Sequence, residues 1–487
     1  MYKPIVGLEA HVELNTRSKM FCSCLNNPDE RHPNVNICEI CTAQPGSLPV
    51  INREAVRKTI KTGLALNCQI PEYSKFDRKN YFYPDLPKGY QISQYDKPLC
   101  VGGHLEINGK KIRIRRVHLE EDTGRLVHPE GTDYSLVDFN RAGIPLMELV
   151  TEPDITSAKE ARKFAEELQL ILRYLDVSEA DMEKGEMRVE VNISLLREIP
   201  NPKSQIPKLG TKVEIKNLNS FRAVEKGIEY EIKRQAGVLE SGKKVIQETR
   251  GWDDIRGETV SQREKEEAHD YRYFPEPDLP PLHISAELID EIKAEIPELP
   301  WQKIERFKKE YELDEKSIEV FVQNKDFGEY FEKVISELPS NLPQENLLKL
   351  IKLASNYLIT DLQGLLKGAS AVGEDFLITP ENFAEFITLT YEGKISSKIS
   401  KMVLGEMFKA GADPSHIIKE KGLAQITDVA EIEKIVKEVI SKNQKAVEDF
   451  KSGKESAIQH LIGQVMAESR GKANPQLVRD ILAKALA

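Results

Sequence analysis

The chain has 487 residues with 69 basic and 79 acidic side chains, so its formal net charge is −10 at pH 7. With 40% hydrophobic and 30% charged residues it has the composition of a globular protein, and its length favours about two to four domains. The acidic balance argues against a surface coated with basic groups for nucleic acid. No apolar run reaches the ~18 residues of a membrane span and no signal peptide begins at Met1, so we expect no membrane association. The expected location is the cytoplasm or, for a mature organellar form, the organelle.

Residues 5–14 alternate between the two faces of a predicted strand, with Glu9 and His11 on the polar face. Residues 188–195 and 212–217 repeat this alternation. A period of two with one apolar face is typical of an antiparallel sheet covered on one side only. The polar face is either solvated or a platform for a magnesium–nucleotide complex, since Mg²⁺ binds carboxylates together with substrate phosphates.

Four cysteines form two close pairs that are separated by 13 residues. The pairs are Cys22-x-Cys24 and Cys38-x-x-Cys41. Two thiolate pairs around a loop supply the four soft ligands that tetrahedral zinc prefers, so we predict a structural zinc site. The alternative is four buried or unused thiols. We expect Cys68 and Cys100 to be small packed hydrophobes, because a disulfide framework is not expected without a secretory signal.

Residues 74–97 interleave aromatic side chains with basic ones, among them Lys79 and Lys88. This composition suits a nucleotide, a phosphate or an RNA end. The alternative is a solvated loop fixed by its aromatics, but their density near two prolines favours an ordered functional loop. The acidic triplet 120–122 follows the strand-like residues 112–119 and adds carboxylates to the sheet.

A helix is predicted over residues 157–175, where it would cover the apolar face of the sheet. Ser157 and Glu160 have the spacing of a capping box. Five apolar residues at helical spacing form one stripe. They are Phe164, Leu168, Ile171, Leu172 and Leu175.

The proline-dense residues 275–281 end the region that is rich in strand signals, and helical periodicity follows. We therefore predict an α+β chain in three domains. They are an antiparallel-sheet domain with a zinc-binding insertion (1–291), a helical domain (292–400) and a helical tail (401–487).

The tail carries 14 basic and 12 acidic residues in an otherwise acidic chain. Arg470, Lys472 and Arg479 cluster around the turn 471–475, where they could contact RNA phosphates. The alternative is a solvated basic corner of a helical bundle.

Some catalytic motifs are missing from the sequence. It contains no P-loop, no GxSxG motif and no glycine-flanked cysteine that would indicate a glutaminase nucleophile. Ser396, Ser397 and Lys398 lack the glycine-rich surroundings of an amidase Ser–Lys pair, and we interpret them as a helix-capping segment.

Several long motifs resemble the B subunit of the aspartyl/glutamyl-tRNA amidotransferase family. The longest is VDFNRAGIPLMELVTEPDI at 137–155; the others lie at 7–12, 74–97, 118–122, 268–278, 461–466 and 471–475. The resemblance spans the whole chain and is nearly gap-free. The chain lacks the large domain that the related archaeal Glu-specific E subunit carries before its helical region, so the B type is favoured.

The resemblance implies a catalytic cradle similar to that of glutamine synthetase and the guanidino kinases. It also implies a heterotrimeric enzyme, in which an amidase-type A subunit makes ammonia from glutamine and a small C subunit braces the pair. ATP would phosphorylate the side-chain carboxylate of Glu on tRNA(Gln) or Asp on tRNA(Asn), and ammonia would displace the phosphate.

The resemblance also implies roles for individual residues. Those expected to hold magnesium around ATP are Glu9, His11, Glu121 and Glu148, with Glu190 and Asn192 as second-rank candidates. Lys79 would neutralise the transferred phosphate, and Lys88 would line the ammonia entrance. Arg141 would be either a phosphate ligand or a structural partner of Asp138.

Two rival functions remain at this level. A non-catalytic, zinc-containing tRNA-binding scaffold explains the cysteines and the tail, but gives no reason for the Glu and His side chains on strand 5–14. An archaeal-type, Glu-tRNA-specific enzyme would share the chemistry but use one substrate.

Overall fold

The computed structural model describes residues 2–27, 29–197, 210–264, 271–368, 370–371, 373, 376–424, 429–452, 454, 456–469 and 471–486. It divides into two compact units, Met1–Pro300 and Trp301–Ala487. None of the described helices is long and apolar enough to cross a membrane.

The first unit is built mainly of strands. In chain order they are β1 (Tyr2–Glu13), β2 (Tyr73–Ser74), β3 (Asp77–Asn80), β4 (Tyr90–Ser93), β5 (Cys100–Val101), β6 (His104–Ile107), β7 (Lys110–Glu121), β8 (Arg125–Val127), β9 (Leu136–Asp138), β10 (Pro145–Thr151), β11 (Met187–Arg197), β12 (Val213–Leu218), β13 (Glu248–Asp253), β14 (Glu258–Glu264), β15 (Phe274–Pro275) and β16 (Leu282–His283). Its helices are α1 (Arg53–Ala65), α2 (Ala158–Tyr174), α3 (Phe221–Glu240) and α4 (Ala286–Ala294).

Nine strands of the described chain form one sheet in the order β14–β13–β12–β11–β1–β10–β7–β5, with β6 also paired to β7. Neighbouring strands are antiparallel, apart from the parallel pair β12–β13. The strands predicted over 5–14, 188–195 and 212–217 are β1, β11 and β12, so the predicted antiparallel sheet is confirmed. The central strand is β1, which places His11 between Glu148 on β10 and Arg188 on β11.

The predicted helix is α2, which packs with α3 against the apolar face of this sheet. Its predicted stripe is buried, as are the alternate apolar residues of β1. Ser157 caps the helix by accepting the Glu160 N–H at 3.2 Å. The Glu160 carboxylate accepts the N–H of Thr156 at 2.6 Å, one residue before the position that a standard capping box would use. Burial of one sheet face leaves the polar side chains on the other.

The aromatic segment 74–97 is an ordered part of the fold. Strands β3 and β4 pair with each other, and β15 adds to the outer edge of β3. The Arg78 guanidinium fixes this arrangement through bonds of 2.7 Å to both carboxylate oxygens of Glu276, which is buried. Lys79 is therefore held on a paired strand.

The second unit is helical. Its helices are α5 (Pro300–Glu310), α6 (Glu315–Gln323), α7 (Lys325–Ser336), α8 (Gln344–Asn356), α9 (Gln363–Leu366), α10 (Pro380–Tyr391), α11 (Ser397–Ala410), α12 (Pro414–Glu420), α13 (Val429–Lys442), α14 (Gln444–Lys451), α15 (Ser456–Glu468) and α16 (Pro475–Leu486), with a π-helical segment at Tyr357–Leu362. Ser396 lies at the N-cap position of α11, as expected. Its hydroxyl makes no bond to the helix and instead donates to the carbonyl of Gly471 at 2.8 Å.

Helices α13, α15 and α16 share a small core of their own, as the sequence predicts for the tail. Its buried members include Ile432, Val436, Leu461, Val465, Val478 and Leu482. The three-domain division at 291 and 400 stays a prediction; the boundary between the two compact units lies at 300.

Candidate functional site

The polar face of the main sheet brings an imidazole and two carboxylates together. His11 lies opposite Glu148, and Glu148 lies opposite His118 on β7. His11 Nε2 is 3.5 Å from Glu148 Oε2 and 3.7 Å from Glu120 Oε1. His118 Nε2 is 3.2 Å from Glu148 Oε2. Ligand atoms of His11, Glu120 and Glu148, here called the His11 cluster, lie within 4.8 Å of one another and could share one cation.

The His11 cluster is ion-paired. Burial alone would lower the pKa of His11, but the hydrogen bond to Glu148 and the nearby carboxylates outweigh it and raise the pKa to about 9. Burial also opposes ionisation of Glu148, yet His118 and His11 hold the pKa of that carboxyl well below its usual range. Imidazole ligates metals in its neutral form, so a bound divalent cation would displace the His11 proton and take over its charge.

The sequence predicts Glu121 as a magnesium ligand, but the structure places it away from His11. Successive side chains of a strand point to opposite faces, and on β7 it is Glu120 that faces the His11 cluster. Glu121 instead accepts the Lys88 ammonium at 2.7 Å and the Ile92 N–H at 2.9 Å. The predicted placement is corrected accordingly: Glu120 is the carboxylate beside His11.

Lys88 lies where two neighbouring pockets approach each other. One pocket is also lined by Cys41, Glu121 and Gly143, and the other by Phe21 and Tyr90. The buried Lys88–Glu121 ion pair therefore separates the cysteine loop from the sheet.

A second set of carboxylates lies along the same polar face. Ligand atoms of Glu9, Glu190 and Glu214 lie within 4.8 Å of one another. Asn192 Nδ2 donates to Glu9 at 2.8 Å, and Lys216 Nζ lies 3.0 Å from Glu190. Burial and the neighbouring carboxylates raise the pKa of Glu9. The predicted ligands thus fall into two groups, with Glu9, Glu190 and Asn192 apart from the His11 cluster.

An open pocket adjoins Glu9 on this face. The residues lining it include Gly7, Arg115, Thr151, Asn192, Gly210 and Lys212. Gly7 leaves the backbone of β1 uncovered, and two cations stand at the pocket wall. A small anionic ligand could therefore approach the strand backbone closely.

Lys79 is directed from β3 toward the His11 cluster. Its Nζ lies 5.2 Å from the ring centre of Tyr271 and 5.9 Å from that of Tyr81. Burial would lower the pKa of Lys79, but the charges of Glu120 and Glu148 outweigh it and raise that pKa above its ordinary value. Lys79 therefore presents a fixed positive charge beside the carboxylates.

Asp122 anchors two arginines next to the His11 cluster. Arg188 and Arg141 lie 2.9 and 3.2 Å from the same Asp122 oxygen, and together they hold its pKa low against the effect of burial. Burial and Asp122 raise the pKa of Glu13 to about 8. Asp122 is thus the partner of Arg141, whereas Asp138 accepts backbone N–H groups.

The four predicted zinc ligands come together. Their sulfur atoms lie within 4.8 Å of one another, with Cys22 and Cys41 at 3.6 Å and Cys38 and Cys41 at 3.9 Å. Tetrahedral zinc with Zn–S bonds of about 2.3 Å spaces its sulfurs by about 3.8 Å, so these residues fit the ion. All four are free thiols.

The other two cysteines are packed, as predicted. Cys68 and Cys100 are both buried, and burial raises the pKa of each thiol. Neither belongs to the four-cysteine set.

The predicted tRNA-binding residues lie at the turn between α15 and α16. Lys472 is half-buried and Arg479 is exposed. Gly471 has a φ of +80°, in the left-handed region that favours glycine, and its carbonyl is held by Ser396. Arg470 lies outside the described residues.

Comparison with known proteins shows where this site belongs. The sequence pattern of the GatB/GatE catalytic domain matches residues 4–290, and that of the GatB domain matches residues 329–486. The chain belongs to the GatB/GatE family.

Relatives of this GatB/GatE chain align over its full length. It is 49% identical over 494 residues to the B subunit of the aspartyl/glutamyl-tRNA(Asn/Gln) amidotransferase of Thermotoga petrophila, and 50% identical over 492 residues to that of Caldicellulosiruptor saccharolyticus. It is 50% identical over 489 residues to the B subunit of the same enzyme from Persephonella marina. Each alignment covers 100% of this chain and 99% of the relative.

Sequence reasoning missed two members of the GatB/GatE site, Glu120 and His118. Both lie on β7, in a motif that carries the family resemblance. A signal was present, because the strand alternation that puts Glu9 and His11 on one face also separates Glu120 from Glu121. Lys216 shows the same alternation on β12, where it faces Glu190.

Proposed function

We propose that this chain is the transamidating subunit of a tRNA-dependent amidotransferase. It would convert Glu on tRNA(Gln), Asp on tRNA(Asn), or both, to the corresponding amide with ATP and ammonia. The observation that carries the proposal is the His11 cluster facing Lys79 in a chain that matches relatives of that name from end to end.

The reaction requires activation of a carboxylate, which is a poor electrophile. Transfer of the γ-phosphoryl group of ATP to the side-chain carboxylate gives an acyl phosphate and ADP. Ammonia then attacks the carbonyl carbon, phosphate leaves, and a proton is lost to give the amide. Positioning and charge neutralisation dominate the catalysis of such phosphoryl transfers.

The two carboxylate groups are suited to hold magnesium ions along the polar face. His11, Glu120 and Glu148 would hold one ion, and Glu9 and Glu190 another, with Asn192 orienting Glu9. Magnesium bound there would bridge phosphate oxygens and neutralise their charge. The pocket beside Glu9, with Gly7 at its base, would take the nucleotide. This arrangement is the proposed counterpart of the glutamine synthetase and guanidino kinase cradle.

Two lysines would act on the reacting groups. Lys79 keeps its charge and faces Glu120 and Glu148, so it would neutralise the transferred phosphoryl group. The Lys88–Glu121 pair lies between two pockets and would line the entrance for ammonia. Both roles place cations next to charge that develops during the reaction, where preorganised groups contribute most.

The remaining parts of the proposal concern the assembly. Ammonia would come from an amidase-type A subunit, with a small C subunit bracing the complex in the cytoplasm. The domain 1–291 would perform the chemistry. Residues 292–400 would form a connecting helical domain, and 401–487 would hold the tRNA body through Arg470, Lys472 and Arg479. Zinc at the four cysteines would be structural, because the site is closed.

A non-catalytic tRNA-binding scaffold is disfavoured by the His11 cluster. Three buried ionisable groups within 4.8 Å of one another are costly in a protein that only binds RNA. An archaeal-type Glu-specific enzyme remains the second candidate, and assays with both misacylated tRNAs separate it from the first.

The test uses the complex that copurifies with the tagged chain. With ATP and misacylated tRNA, it should form ADP and amide with either glutamine or free ammonia. The isolated chain should use ammonia only. If glutaminase activity stayed with the isolated chain through stringent purification, the partner assignment would fail. If the complex formed no tRNA-dependent ADP, the catalytic assignment would fail.

A further inference from the structure

Lys19 is a fully buried lysine, with 0% of its surface exposed. It follows β1 and lies between the cysteine loop and residues 139–143. A Cβ added at Gly143 would meet the Lys19 side chain at 3.7 Å. Lysine is almost never fully buried unless its charge is paired, so a partner for this ammonium is required.

The partners of Lys19 include a thiol and no carboxylate. Its Nζ lies 3.2 Å from the carbonyl oxygen of Phe139 and 3.5 Å from Cys41 Sγ. Throughout the described residues, no Asp or Glu oxygen lies within 4.0 Å of it. The anion nearest to this buried charge is therefore a member of the four-cysteine set.

We propose that Lys19 is the internal counter-ion of the four-cysteine metal centre, donating an N–H···S hydrogen bond to the Cys41 thiolate. This inference rests on the metal binding proposed above. Four thiolates around a divalent ion carry a net charge of −2, and one ammonium reduces the charge of this buried region to −1. Groups that contact the ligands of a metal orient them and tune the affinity of the site.

Lys19 also connects the metal centre to the catalytic sheet. Its bond to Phe139 and the bond from Met20 N to Gly143 O, at 2.7 Å, hold the cysteine loop against residues 139–143. That segment leads directly into β10, which carries Glu148. Lys19 is thus a positioning residue that acts through Cys41 and through the start of β10.

The test compares Lys19→Met with wild type and with Lys243→Met, an exposed lysine of the same unit. Each full-length protein is loaded with Zn²⁺ or Co²⁺. The Lys19→Met protein should bind zinc about 10–100-fold more weakly in competition with a chelator. Its sulfur-to-cobalt charge-transfer band should move to lower energy, since the lost hydrogen bond had stabilised the sulfur lone pair. Lys243→Met should match wild type in both measurements.

Stability of the metal-free proteins separates this role from simple packing. Without metal, Lys19 loses its anion, so metal-free Lys19→Met should melt no lower than metal-free wild type. A cobalt band and zinc affinity equal to wild type would overturn the proposal, as would equal destabilisation with and without metal. Should Lys19→Met fail to fold, Lys19→Gln, which is neutral but keeps an N–H donor, should still show the weaker affinity. A wild-type chain that binds neither ion would refute the metal centre itself.

Discussion

Glu120 and Glu121 are adjacent carboxylates with different surroundings, and exchanging each for glutamine tests the site. Glu120 is 2% exposed, with one oxygen 3.7 Å from His11 Nε2. At an effective dielectric constant of about 20, a unit charge pair at such a distance interacts by about 4 kcal/mol. A cation held in the His11 cluster would feel a carboxylate at least as strongly. Glu120→Gln keeps the shape of the side chain and removes its charge.

We therefore expect Glu120→Gln to lower kcat by about 10²–10³-fold, equivalent to ~2.7–4 kcal/mol of transition-state stabilisation. The loss should appear in tRNA-dependent ADP formation, the first chemical step. Glu121→Gln leaves the buried Lys88 ammonium without its anion, so its main effects should be a less stable unit and slower amide formation. The hydrogen bond from Ile92 N can be kept by the glutamine oxygen, which limits the destabilisation to about 1–3 kcal/mol.

The assay is run on the copurified complex with misacylated tRNA, and ADP and amide are measured in parallel. Circular dichroism and melting curves of both variants provide the folding control. The reasoning is refuted if folded Glu121→Gln loses tRNA-dependent ADP formation while Glu120→Gln retains it. In that case Glu121, and not Glu120, would belong to the phosphoryl-transfer site.

Three further predictions concern other parts of the chain. Metal analysis should find about one zinc per chain, lost when Cys38 and Cys41 are both changed to Ser, and freshly reduced wild-type protein without metal would contradict this. Reversing the charge of Lys472 and Arg479 to Glu should weaken tRNA binding and lower the salt slope by about one per phosphate contact, measured by titration at several salt concentrations; an unchanged slope would make the turn a packing element. Glu13→Gln should raise the melting temperature near pH 8. The raised pKa of Glu13, about 8, means that the folded state retains a proton that the unfolded state releases, so wild-type stability falls as pH rises from about 5 to 8. A gain that is equal at pH 5 and pH 8 would contradict that origin.

Local periodicity explains what could be predicted about the fold. The alternation in 5–14 predicts β1 and its polar face because side chains of a strand point to opposite sides, whatever the partners are. The stripe in 157–175 predicts α2 for the corresponding reason in a helix. The paired spacing of Cys22, Cys24, Cys38 and Cys41 predicts a four-sulfur site because two short loops can each present two thiols.

The sequence by itself therefore determined the antiparallel sheet, its covering helix, the cysteine set and the polar residues available for chemistry. Only the tertiary structure decided which of these residues meet. The register of β7 against β10 brings Glu120 to His11 and sends Glu121 to Lys88. The packing of the cysteine loop on residues 139–143 buries Lys19 beside Cys41. These contacts join residues far apart in the chain, and no local pattern encodes the pairing of distant segments, because it follows from strand register and packing across the whole sheet.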